Sequence, residues 1–175
     1  MPMDIAFVKT GGPHDRIQAR RDDGSAIAWR WGADGPPHDL VHWVVEDELG
    51  LGRGFWGLVS GGADFGFVNA SGHARAHESA ELGDTTELMQ AEAIANSIQQ
   101  GMAIEPRWGD LECLRWAATW CEQSRAELPA GLEIVRYGEV RAATEAWVSR
   151  YRALGAREAL HVTFPSRPRG PFRSG

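Results

Sequence analysis

The chain has 175 residues, 43% of them hydrophobic and 24% charged, proportions that exclude a disordered or fibrous class. That length suits one domain with a sizeable core. A formal net charge of −6 argues against broad attraction to nucleic acid or to an anionic membrane surface, and no run approaches the ~18 apolar residues that a membrane span requires.

The N-terminal third reads as strands. Asp4 to Thr10 (DIAFVKT) and Arg16 to Arg21 (RIQARR) lead into DDGS, whose Asp-Gly pair tolerates the positive φ of a tight hairpin, and AIAWRWG then returns with alternating apolar and polar positions. In that third strand Ile27, Trp29 and Trp31 share one face at period two, which marks the side that helices should cover. GADGPP ends the sheet, and Pro36 or Pro37 sits where a first helical turn tolerates a missing N–H. A helix is expected from about Pro37 to Leu49, with Gly50 as its stop. In the glycine-rich stretch that follows, Phe55, Trp56, Leu58 and Val59 should anchor a short helical turn, and residues 72–83 read as a connector.

Asp84 opens DTTE, a capping box in which the Asp side chain accepts a backbone N–H and Glu87 reaches back. Leu88, Ala91, Ile94, Ala95, Ile98 and Met102 then recur at helical spacing. A helix over GDLECLRWAATWCEQSRAEL is predicted to bury Leu111, Leu114, Ala118 and Cys121. A further helix, GEVRAATEAWVSRYRALG, should bury Val140, Ala143, Trp147, Val148 and Tyr151, before EALHVTF supplies a strand that rejoins the sheet. The expected class is α+β: a small, mainly antiparallel sheet of three N-terminal strands plus a C-terminal one, with about four helices packed on one side. One domain over residues 1–165 and a flexible, arginine-bearing tail over 166–175 complete the organisation.

Cys113 and Cys121, the only cysteines, lie eight apart on one predicted helix; they cannot form a local disulfide and read as inert core residues. The start, MPMDIAFVKTGG, lacks the basic and apolar regions of a secretory signal. A cytoplasmic protein without nucleic-acid or membrane partners is therefore expected. The eight tryptophans are read as core, each needing one partner for its N–H, and Trp43, next to His42, is the one expected to border a pocket. There is no GxSxG elbow, no GxxxxGK[ST] phosphate loop and no GxGxxG after a strand.

The chemistry concentrates in PHDLVHWVVEDELG. At ~100° per residue, His38, His42, Glu46 and Asp39 fall on one stripe, bordered by an apolar arc of Leu40, Val41, Val44, Val45 and Leu49. Polar groups at that border are sheltered and need partners, which a divalent cation supplies to several at once. Imidazoles at i and i+4 can converge on one ion. The expected ligands are His38 and His42, with Asp39 ligating or orienting His38. Glu46 lies too far along the helix for the same ion and is cast as acid/base catalyst or outer partner. Another ligand must come from elsewhere: Glu92, beside the apolar stripe of its own helix, is preferred to His77 or Glu78 in HARAHE and to Asp64. Zinc suits such a mixed N and O set. The same residues also suit a metal-free helix, with His38 capping, Asp39 at the positive end of the macrodipole and Glu46 to Glu48 solvated.

HDLVH resembles the HDxxH element of the coenzyme Q biosynthesis family usually called Coq four, helical proteins in which that element and a distal Glu bind zinc. The resemblance covers His38, Asp39 and His42. The family's Glu falls twelve residues after the second His, where this chain has Gly54, and the β-rich start departs from an all-helical fold. The HExxH helix of zinc proteases is also similar, with Asp39 replacing its catalytic Glu. Both resemblances imply a metal and neither implies a reaction. The longer run PHDLVHWVVEDELGLGRGFWGLVSGGADF resembles a block of bacterial proteins of uncharacterised activity. Two functions follow as expectations: a zinc-dependent enzyme on a small organic substrate, and a metal-free protein–protein interaction module.

Overall fold

The computed structural model describes residues 2–32, 35–63, 84–104 and 107–166. Strands β1 (Met3–Val8), β2 (His14–Arg20) and β3 (Ala26–Gly32) form an antiparallel meander. Strand β4 (Ala159–Phe164) pairs antiparallel with the free edge of β1, giving the order β3-β2-β1-β4. Five helices lie among the described residues: α1 (His38–Leu49), α2 (Phe55–Ser60), α3 (Thr86–Ala103), α4 (Asp110–Gln123) and α5 (Ile134–Ala153). The α+β class is as expected. The helix beyond the expected four is α2, where the Phe55 segment completes a helix rather than a single turn.

Strand alternation sets the layers. Met3, Ile5, Phe7, Ile17, Trp29 and Phe164 are buried against the helices, while Asp4, Arg16, Arg20, Arg30 and His161 stay exposed on the other face. Gly24, at φ 85°, makes the turn between β2 and β3 that the Asp-Gly pair forecasts.

Helix α1 is the centre of the molecule. Every residue from Asp39 to Glu46 is buried. Leu40, Trp43 and Val44 join the cluster under the sheet, while Val41 and Val45 join a second cluster with Ile94 and Ile98 of α3, Cys113 and Ala117 of α4, and Val140 and Val148 of α5. Full burial of each such aliphatic side chain stabilises by about 1.5–3 kcal/mol, enough to hold a polar edge of α1 inside the fold. Gly50 ends the helix in the left-handed conformation, as its position implies.

Two local expectations are corrected. In the capping box Asp84 Oδ1 does accept the Thr86 N–H, at 3.0 Å, but Glu87 does not reach back: its Oε2 accepts the Arg53 N–H at 2.5 Å, because the segment before α2 docks on the start of α3. On α4 the buried stripe is Cys113, Ala117 and Cys121, not one led by Leu111, which is 41% exposed. The cause is a close helix approach. A Cβ added at Gly101 of α3 would strike Cys113 Sγ, so the missing side chain turns the cysteine face of α4 inward.

Candidate metal centre

Two polar stripes meet where α1 packs on α3. Helix α1 contributes His38, His42 and Glu46 at i, i+4 and i+8; α3 contributes Glu92, Asn96 and Gln99 at i, i+4 and i+7. Both spacings keep side chains on one helical face. The His42 Nε2 atom lies 3.1 Å from His38 Nε2 and 2.8 Å from Glu92 Oε2, and His38 Nε2 lies 3.5 Å from the same oxygen. Tetrahedral zinc, with bonds of ~2.0–2.2 Å, sets neighbouring ligand atoms about 3.3–3.6 Å apart. The shortest edge therefore needs to open by about half an ångström or slightly more and the other two by less, and this group of three can hold a metal ion.

Each of the three residues is oriented by a partner of its own. His38 Nδ1 faces Gln99 Oε1 at 2.5 Å and His42 Nδ1 faces Glu46 Oε1 at 3.2 Å, while Glu92 Oε1 accepts from Asn96 Nδ2 at 2.8 Å. Amide and carboxylate oxygens accept, so both rings carry hydrogen on Nδ1 and present Nε2 to the common point.

Glu46 is 1% exposed. Its Oε2 accepts the backbone N–H groups of Trp56 at 2.9 Å and Gly57 at 3.2 Å, which ties α1 to the start of α2. The tie depends on Gly54, where an added Cβ would collide with the Glu46 carboxyl carbon. The Glu46 carboxylate occupies the space that a side chain at position 54 would take. Asp39 lies outside the group of three: its Oδ2 accepts Trp29 Nε1–H at 2.9 Å and its carbonyl accepts Trp56 Nε1–H at 2.8 Å. Asp64, His77 and Glu78 fall outside the described residues.

Burial would lower the His42 pKa, but hydrogen bonds to Glu46 and Glu92 and the charges of both push it up to about 10. Burial would raise Glu92, yet hydrogen bonds from His38 and His42 hold it well below the usual carboxylate range. Burial raises Glu46, outweighing His42 and the backbone N–H donors, and it likewise raises Asp39 against the Trp29 hydrogen bond. Without a metal, these contacts favour the protonated form of His42, whose charge offsets that of Glu92.

The centre opens to a cavity of about 420 Å³ lined by His38, Glu92, Asn96, Gln99 and Trp120. His38 and Glu92 side chains are 23% and 12% exposed against 3% for His42, so His42 closes the back. Trp120, stacked on Trp116 with centroids 6.0 Å apart, supplies the aromatic wall. Trp43, expected there, turns away: its Nε1–H donates to the Thr163 carbonyl at 2.9 Å and its ring packs edge-on to Trp147. Asn96, Gln99 and Trp120 were not among the residues singled out from sequence. The signal for the first two was the spacing in EAIANSIQ, which aligns them with Glu92.

No helix among the described residues is long and apolar enough to cross a membrane. No protein-family model matches the chain, and comparison with curated proteins and with solved structures likewise finds no match.

Proposed function

We propose that the chain binds one zinc ion through His38, His42 and Glu92 and uses it as a Lewis acid on a small organic substrate admitted beside Trp120. The observation that carries this reading is the separate outer partner on each ligand residue, Gln99, Glu46 and Asn96, an arrangement that fixes ligand direction as metal sites do. Three protein ligands leave a fourth position, the pattern of catalytic rather than structural zinc. When bound, the metal supplies polarisation of a carbonyl or ionisation of water near neutral pH. Glu46, buried behind His42, holds that ring in its tautomer and is a positioning residue rather than an acid/base catalyst. Trp120 offers a flat apolar wall, and the Asn96 and Gln99 amides border the space where a polar substrate group rests.

Cobalt(II) substitution tests both halves of the proposal. Untagged protein loaded with cobalt is expected to show d–d absorption of a low-coordinate site, and added acetohydroxamate is expected to change it. The His38→Ala, His42→Ala double variant should show neither. A spectrum indifferent to the added ligand overturns the catalytic half, and failure to load overturns the whole.

The competing reading, a metal-free module that binds a protein partner, draws on Leu111, Ile134 and Val135, left 41%, 44% and 72% exposed. It requires wild-type protein without stoichiometric metal and a double variant of unchanged thermal stability.

A further inference from the structure

On the side of the sheet away from the helices, Arg16 of β2 and Arg30 of β3 are directly opposite one another in the register. Both are exposed, and His14 projects from the same face of β2 two residues before Arg16. Like charges at opposed cross-strand positions repel and destabilise a sheet. Neither arginine has a hydrogen-bond or ion-pair partner among the described residues, so nothing in the described fold offsets that repulsion. The pair borders a cavity of about 630 Å³, walled on one side by Thr10 and Pro13 and shared with His14 and Ala28, a volume in the range of small-molecule sites. Asp15 also borders it, but that carboxylate is 5% exposed and already accepts the Thr10 N–H at 3.0 Å and the Tyr151 hydroxyl at 2.6 Å. Its charge is turned to the core and does not compete for the guanidinium groups.

We infer that this cavity binds a small molecule through a phosphoryl group held between the Arg16 and Arg30 guanidinium groups, with His14 at its edge. Paired arginines present forked donors that match phosphate oxygens, and a doubly charged oxyanion converts their repulsion into attraction. Single-stranded nucleic acid is the less suitable occupant. The exposed positions His14, Arg16, Arg20, Ala26, Ala28 and Arg30 of β2 and β3 carry no Phe, Tyr or Trp ring on which a base can stack; Trp29, which also lines the cavity, is 8% exposed with its indole N–H on Asp39, and the chain is acidic overall.

Pyrophosphate titrated into the full chain, followed by amide NMR shifts, tests the assignment. Saturable shifts are expected at residues 14–16 and 28–30, with a Kd below about 1 mM. Arg16→Gln and Arg30→Gln should each weaken binding by at least about tenfold, whereas Arg107→Gln, at an exposed arginine beside Glu145, should leave it unchanged. Thermal melting of each variant without ligand should show no loss of stability, since a repulsion has been removed. Wild-type protein treated with a chelator should bind as untreated protein does, which separates this site from anion capture by a metal. The inference is overturned by no saturation below about 10 mM, by equal weakening in Arg107→Gln, or by loss of binding after chelator treatment. An oligonucleotide that binds this face and is not displaced by pyrophosphate also overturns it.

Discussion

His42 Nε2 and Glu92 Oε2 stand 2.8 Å apart on two different helices. A ring nitrogen lone pair and a carboxylate oxygen at that separation repel unless a proton or a metal ion lies between them. Glu92→Gln removes the charge and keeps the shape. It is expected to weaken zinc binding by more than the ~10–100-fold typical of losing an outer partner, read by competition with a chromophoric chelator. Wild-type affinity in that variant would show that the carboxylate is not a ligand.

The proton on His42 makes binding pH-dependent. With a folded pKa of about 10 against an ordinary ~6.5, His42 stabilises the metal-free fold fully below pH ~6.5, and this contribution is lost as pH rises through 10. Zinc binds the ring without that proton, so the metal displaces at least one proton below pH 10 and its apparent affinity climbs by about tenfold per pH unit. Calorimetry at pH 7 in two buffers of different ionisation heat should report that release. Equal heats in both buffers would contradict it.

Glu46 and Gly54 should behave as one unit. Glu46→Gln leaves an acceptor for the Trp56 and Gly57 N–H groups but weakens the hold on His42 Nδ1, and is expected to cost about 10–100-fold in metal affinity with a small change in melting temperature. Gly54→Ala drives a methyl group into the Glu46 carboxyl. It should destabilise the fold by about 1–3 kcal/mol and lower metal affinity as well, seen by denaturant titration and chelator competition on the same samples. A Gly54→Ala protein as stable and as tightly binding as wild type would break the proposed link.

The cysteines give an independent check on the packing of α3 against α4. Cys113 and Cys121 are 0% and 1% exposed, and burial raises both thiols, Cys121 to about 11. Native protein should therefore resist iodoacetamide at pH 8, while urea-unfolded protein takes up two labels by mass spectrometry. Rapid native labelling at either position would refute the inward turn of α4 that Gly101 permits.

Much of this was legible in the sequence where the signal is local. Period-two alternation set the strands, Asp23-Gly24 and Gly50 set two ends, and the i, i+4 spacing of His38 and His42 put both rings on one edge of a helix. What was not legible depends on which helices meet. The alignment of Asn96 and Gln99 with Glu92 has meaning only once α3 lies on α1. The inward aim of Glu46 needs the space left by Gly54, Asp39 is drawn to Trp29 from a strand, and the face that α4 buries follows from the gap at Gly101. None of these is a property of a single helix period.

The most direct test of the centre is anomalous X-ray scattering at the zinc edge from crystals of untagged protein grown with one equivalent of zinc. The account predicts one peak per chain, about 2.0–2.2 Å from His38 Nε2, His42 Nε2 and Glu92 Oε2, and no such peak in the His38→Ala, His42→Ala variant. Crystals in which these three side chains keep their places with no peak between them, or in which zinc sits on other residues, would contradict it.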